Sequence, residues 1–158
     1  RAAHGHLHDR LVRAGPAVHE HAVRQLLRWV GGEAPALPSR FTAADLQAAA
    51  AIPGVSVAAK GVHQLALPHQ PWDLAFGEVL EARLALEPLL GRPVTTFCYP
   101  HGAVDERAAS LVRAAGYAHG LTREPGPLRP GFDPTRVPRA LVPPGCDDLP
   151  GWLRRLCP

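Results

Sequence analysis

Apolar residues recur at helical spacing in the first third and the middle of the chain, and gather into short runs in between and after. Leu7 and Leu11, then Val23, Leu26, Leu27 and Val30, supply stripes that predict two helical pieces over residues 3–30. Gly15-Pro16 separates the two pieces, and Gly31-Gly32 ends the second. Residues 33–40 read as a proline-containing linker. Thr42, three residues before Asp45, is a helix N-cap signal, and that helix runs to about Ala51 before Pro53-Gly54. Val55 to Ala58 then predicts a short strand. A long helix follows Pro71, because Trp72, Phe76, Val79, Leu86 and Leu90 keep one face apolar. Gly91 suits the left-handed cap position and Pro93 forbids continuation, whereas Pro88 in the last turn costs stability or bends that end.

The second half changes period. Leu89 to Gly102 reads as a helix stop, a short buried strand from Thr95, and a Tyr99-Pro100-His101-Gly102 turn at the strand's carboxyl end. Asp105 to Ala115 predicts a helix, Gly116-Tyr117 its stop, and Ala118 to Thr122 a second strand. Phe132 to Arg139, punctuated by Pro134 and Pro138, approaches a third strand, and Asp147 to Leu156 predicts a final short helix. Strands alternating with helices imply an α/β fold, a parallel sheet covered by helices. Sites in such folds lie beyond the carboxyl ends of the strands.

Composition narrows the classes. The chain has 158 residues, enough for one domain with a sizeable core, and 46% of them are hydrophobic. Lys60 is the only lysine, the net charge is +3, and the arginines are scattered with no aromatic-interleaved basic run. Nucleic-acid binding is therefore excluded as a reading. No apolar run reaches transmembrane length and no signal-peptide pattern is present. The sequence assigns neither compartment nor oligomeric state. Methionine is absent and Arg1 stands first, so a processed product or a piece of a longer chain is expected. Cys98, Cys146 and Cys157 form no CxxC pair, which argues against a disulfide framework or a cysteine zinc site. Cys98, inside the apolar strand, reads as a small buried hydrophobe.

Residues 41–142, and most specifically 89–139, resemble the C-terminal part of the polysaccharide deacetylase family, the NodB-like carbohydrate esterases. The resemblance implies a distorted (β/α) barrel, of which this chain holds roughly the C-terminal two thirds. The first strand is then expected upstream of Arg1. Residues 1–40 are a helical insertion after it, and residues 41–158 the partial deacetylase-like domain. It also implies metal-dependent hydrolysis of N-acetyl, or sometimes O-acetyl, groups on an acetylated polysaccharide or oligosaccharide. In the family an aspartate and two histidines hold a divalent metal, zinc or cobalt, and a second aspartate is the general base. A backbone N–H of the Tyr-Pro-X-Gly turn helps hold the oxyanion. Tyr99, Pro100, His101 and Gly102 occupy that turn here, and Arg139 matches an arginine common near the last barrel strands of this branch.

The metal motif departs from the family. Relatives carry a segment like Gly-Ala-His-Thr-Val-His-His-Leu-Ala-Leu-Pro where this chain runs from Ala58 to Pro68. Anchored on Leu65-Ala66-Leu67-Pro68, the ligand pair becomes Lys60 and Gln64. An ammonium offers no lone pair near neutral pH, and a carboxamide oxygen is a poor zinc ligand. Shifting by one residue yields Ala59 and His63, which restores half the pair. No Asp-Asp-Gly strand end occurs, since Asp9, Asp45, Asp73 and Asp105 all lie in helical contexts and Asp147-Asp148 comes too late. Three readings of Lys60 and Gln64 follow: a degenerate relative with a fixed cation at the old metal position, replacement ligands such as His63 and His69, or neutral drift. Little or no hydrolysis is expected of this chain, and the alternative function is a non-catalytic carbohydrate-binding relative that uses the former groove.

Other clusters read as structural. His4, His6 and His8, followed by Asp9, form a solvated terminal helix that binds transition metals adventitiously. His101 sits where relatives have an aromatic, so it is a platform substitution or a proton-transfer group. Arg139 is a sugar-binding residue or an ion-pair partner. Trp29, Trp72 and Trp152 read as packing residues rather than sugar platforms.

Overall fold

In the computed structural model, which describes residues 2–31 and 41–156, six helices surround two short strands. The linker read at 33–40, Cys157, and the side chains of His4 and Asp9 lie outside the described residues. Helices α1 (Ala2–Arg13) and α2 (Pro16–Val30) flank Gly15, with Pro16 at the first turn of α2, where its missing N–H costs nothing. Gly31 closes α2 in the left-handed conformation at φ 65°. Helix α3 (Ala43–Ala50) opens on the expected cap, here a full capping box. Thr42 Oγ1 accepts from Asp45 N at 3.1 Å, and Asp45 Oδ2 accepts from Thr42 N at 2.8 Å. The remaining helices are α4 (Trp72–Leu90), α5 (Glu106–Ala114) and α6 (Leu149–Leu156). Helix α4 continues through Pro88 to a left-handed Gly91 cap. None of the described helices is long and apolar enough to cross a membrane.

Strand β1 (Thr96–Cys98) pairs parallel to β2 (His119–Leu121), with Phe97 opposite Gly120. Ala59 bridges Phe97, and Val137 bridges Leu121, both parallel, so the extended segments lie in chain order with β1 between Ala59 and β2. Among the described residues this is a small parallel sheet rather than a closed barrel. Helices α4 and α5 cover one face. There Phe97 meets Tyr99 edge-on at 5.5 Å and Tyr117 at 5.3 Å, over Ala75, Val79 and Ala82 of α4 and Leu111 and Val112 of α5. Each fully buried large side chain contributes about 1.5–3 kcal/mol.

Four expectations need correction. Residues 55–58 make no strand. The chain leaves the Pro53-Gly54 turn exposed, and only Ala59 reaches the sheet, through Ala59 N to Thr96 O at 3.0 Å and Cys98 N to Ala59 O at 2.7 Å. The third strand is a single bridge at Val137, because the next residue that faces the β2 segment, Arg139, gives its N–H to Glu124 O beyond the register of the bridge, and residues 134–136 are a 3-10 turn. Cys98 is half-buried, since the strand's alternation places buried Phe97 toward the helices and Cys98 on the uncovered face with Thr96 and Leu121. Trp72 is 51% exposed; α4 instead approaches the sheet on its small residues Ala75 and Ala82.

Both tyrosines of the chain are buried and donate their hydroxyls to backbone carbonyls, Tyr99 to Thr135 O at 2.8 Å and Tyr117 to Val79 O at 3.0 Å. Desolvation, opposed only in part by Arg83 beside the ring, pushes Tyr117 up to about 12, and desolvation raises Tyr99 above its ordinary value as well. A phenol whose folded pKa is raised contributes stability that is fully present below its unfolded value of about 10 and lost as pH rises beyond it. For Tyr117 that window runs from about 10 to about 12. Tyrosinate absorbance followed against pH should therefore stay flat through pH ~10 and then rise together with loss of helical circular dichroism. Titration of either tyrosine near its free value in the folded chain contradicts the buried placement.

Candidate functional site

The site is assembled beyond the carboxyl end of β1 from two loops and the segment that follows β2. The first loop carries Lys60 to Gln64. Its holder is Glu78 of α4, whose side chain is only 2% exposed. Glu78 Oε2 accepts the backbone N–H groups of Val62 at 3.1 Å and His63 at 2.8 Å, while Oε1 lies 2.6 Å from His63 Nδ1. The contact with His63 becomes an ion pair when the imidazole carries its second proton. Gly61, at φ 83°, lets the loop pass: a Cβ there would sit 2.9 Å from Glu78 Oε2. Downstream, Arg107 of α5 donates to Leu67 O and Gln70 O, both at 2.8 Å, and fixes the 3-10 turn Leu67–His69.

The second loop is the Tyr99–Gly102 turn. Tyr99 is 1% exposed and spends its N–H on Leu121 O at 3.1 Å and its hydroxyl on Thr135 O. Thr135 is itself fixed by Asp133, whose Oδ1 accepts from Thr135 N at 2.8 Å and from Thr135 Oγ1 at 2.7 Å. The Thr135 hydroxyl bond first, then the Arg113 and Arg136 guanidinium groups, hold the Asp133 carboxyl below the ordinary value. Tyr99 thus positions the turn from beneath. Pro100 has no N–H, and Gly102 N donates to Tyr99 O at 3.0 Å, which leaves the His101 N–H as the turn's remaining candidate oxyanion donor.

His101 and Gln64 are the two non-glycine residues at positive φ among the described residues, at 59° and 57°. They contact each other: His101 Nε2 lies 3.1 Å from Gln64 O. Each pays conformational strain of order 1–3 kcal/mol, which the surrounding contacts must hold in place. The His8 ring of α1 stands edge-on to His101 at 6.1 Å, bringing the terminal helix over the turn. The segment after β2 adds two arginines. Arg123's aliphatic stem packs so closely on Gly102 that a Cβ there would meet it at 2.6–3.0 Å. Arg139 donates Nε to Thr122 O at 2.7 Å.

The sequence-predicted residues are therefore partly gathered. Gln64, His101 and Gly102 meet, and Arg139 lies beside them through Thr122 and Arg123. Lys60 and His69 are exposed, and Lys60 makes no ion pair among the described residues, so no buried ammonium needs balancing. His63 turns its Nδ1 to Glu78. Among the described residues no three histidine, cysteine, aspartate or glutamate side chains gather as a metal site, so these donors do not fit a zinc or cobalt centre. Glu78, Arg107 and Arg123 escaped the sequence reading. Glu78 had a signal, an acid on the otherwise apolar Ala75-Val79-Ala82 face of a helix.

No family model matches the sequence, and no curated protein matches it. Among solved structures the fold is similar to that of the Streptococcus pyogenes deacetylase PplD, determined in complex with acetate. The TM-score is 0.70 at 16% identity, covering 78% of this chain and 54% of that one. It is also similar to a polysaccharide deacetylase from Bacillus cereus, with TM-score 0.60 at 18% identity, covering 66% of this chain and 33% of that one. The chain thus spans about half the length of the first structure and about a third of the second. The likeness is one of fold.

Replacing Glu78 with alanine removes the acceptor of two backbone donors. The Glu78→Ala variant should lose about 2–4 kcal/mol of stability, and amide exchange at Val62 and His63 should accelerate well beyond that at β1. Glu78→Gln, which keeps one carbonyl oxygen, should lose less. Unchanged protection at Val62 and His63 in Glu78→Ala contradicts the clamp.

Proposed function

We propose that this chain is a polysaccharide-deacetylase-type unit that engages an acetylated glycan at the carboxyl end of its parallel sheet, and that its described residues do not perform metal-assisted hydrolysis. The observation that carries this reading is the fold likeness to a deacetylase at TM-score 0.70, with the Tyr99–Gly102 turn at the end of the central strand. The family reaction needs a metal to polarise an acetyl carbonyl and activate water. Lys60 and Gln64 at the ligand positions, with no third donor gathered beside them, support loss of that chemistry.

What the remaining groups can do is bind. The His101 N–H, the Gln64 carboxamide and the arginine side chains are hydrogen-bond donors suited to sugar hydroxyls and acetamido oxygens. This favours the second reading, a carbohydrate-binding relative that uses the former groove without catalysis. The fixed His101–Gln64 contact supports it, because two loops held in strained conformations present a preformed surface.

Zinc content by elemental analysis tests the proposal, on a chain with His4 and His6 changed to alanine to remove adventitious binding and His8, which stands against His101, retained. Acetate release from acetylated chito-oligosaccharides is measured in parallel with zinc or cobalt added. No stoichiometric ion and no acetate above the protein-free rate are expected. One tightly held ion per chain with metal-dependent acetate release overturns the proposal and points to His63 or His69 as replacement ligands.

A further inference from the structure

Arg123 and Arg139 line one cavity of ≈ 170 Å³ with Ala140 and Leu141, immediately beside the Tyr99–Gly102 turn. Arg139 is anchored through its guanidinium, and Arg123 through its aliphatic stem. Arg123 lies along Gly102, which has φ 76° and no side chain to push it away. Arg139 is held by its Nε bond to Thr122 O and by its backbone N–H to Glu124 O at 2.9 Å. Yet among the described residues neither guanidinium meets a carboxylate, and the terminal nitrogens of Arg139 have no protein acceptor. Glu124, the adjacent acid, pairs with neither. Other arginines near the core behave differently: Arg83 pairs with Glu87, and Arg113 and Arg136 pair with Glu106. Two arginines lining one cavity without a counter-charge, one of them held by its Nε, form an electrostatic receptor for an anion, and the planar fork of arginine matches an oxyanion with two parallel hydrogen bonds. Leu141, 71% exposed at the rim, offers an apolar surface to the face of a sugar ring.

We infer that this cavity is a subsite for an oxyanion, a carboxylate or phosphate, carried by a sugar unit next to the one that faces the Tyr99–Gly102 turn. The inference rests on the glycan reading above and specifies that the glycan is acidic. It assigns Arg123 a binding role and makes Arg139 a ligand contact rather than an ion-pair partner.

The test is a side-chain NMR titration of the arginine Nε–Hε signals with glucuronate, glucose 6-phosphate and glucose in separate arms, with a neutral acetylated chito-oligosaccharide as a fourth. Either anionic sugar should move the Arg123 and Arg139 signals at concentrations where glucose does not. Arg123→Gln should weaken that binding roughly tenfold through loss of one charge-assisted pair, while Arg129→Gln, outside the cavity, should leave it unchanged. Tighter binding of glucuronate assigns a uronate-type carboxylate, and tighter binding of glucose 6-phosphate a phosphorylated glycan. Equal responses to glucose and the anions, or anion responses unaffected by Arg123→Gln, overturn the subsite. If the neutral oligosaccharide binds while the anions do not, the subsite fails and the glycan reading survives. If the anionic sugars bind while the oligosaccharide does not, the subsite stands and the glycan reading fails. No response in any arm overturns both.

Discussion

One buried carboxyl group organises this molecule. Glu78 faces inward from a helix whose neighbouring inward residues are Ala75, Val79 and Ala82, and it satisfies two backbone donors and one imidazole nitrogen of the Gly61–Gln64 loop. An acid so placed is costly unless every contact is made, so the loop has little freedom to sit elsewhere. From that loop the Gln64 carbonyl reaches His101, and the His101 turn abuts Arg123 through Gly102. The constraint therefore passes from the core of the helix layer to the rim of the sheet.

The sheet supplies the other half of the frame. Its parallel segments are short, and their hydrogen bonds are supplemented by bonds from tyrosine hydroxyls to carbonyls, so the aromatic layer under β1 fixes both the strand ends and the turn beyond them. Tyr99 serves the site through this layer. The Asp133–Thr135–Tyr99 chain carries the same logic to the segment before Val137, where one polar side chain fixes a carbonyl and the carbonyl fixes a buried hydroxyl.

Much of this was legible in the sequence, and the reasons are local. Gly31, Gly91 and the Thr42–Asp45 pair end or begin helices through short-range stereochemistry, so their signals survive without tertiary context. The run from Thr95 to Gly102 announces a buried strand and a turn for the same reason. Residues 55–58 misled because a β-branched, apolar stretch after a turn looks like a strand, while only Ala59 bonds to the β1 segment. The stripe on α4 misled in the opposite sense: Trp72 draws the eye, but small residues set how closely the helix packs. Arg123 carried no signal, because its significance comes from Gly102 across the sheet rather than from its neighbours in the chain. Lys60 and Gln64 stood out because the family resemblance expects histidines at their positions, and both are exposed on the loop that Glu78 holds.

The central claim is a preformed glycan-facing surface that works without metal. The most direct measurement is a backbone NMR titration with N,N′-diacetylchitobiose in the presence of EDTA, reading the amides of residues 61–64 and 99–102. The account predicts that signals from both loops, including Gln64 and His101, shift together and saturate with one affinity. Shifts that appear only after zinc is supplied, or that spare both loops, would contradict it.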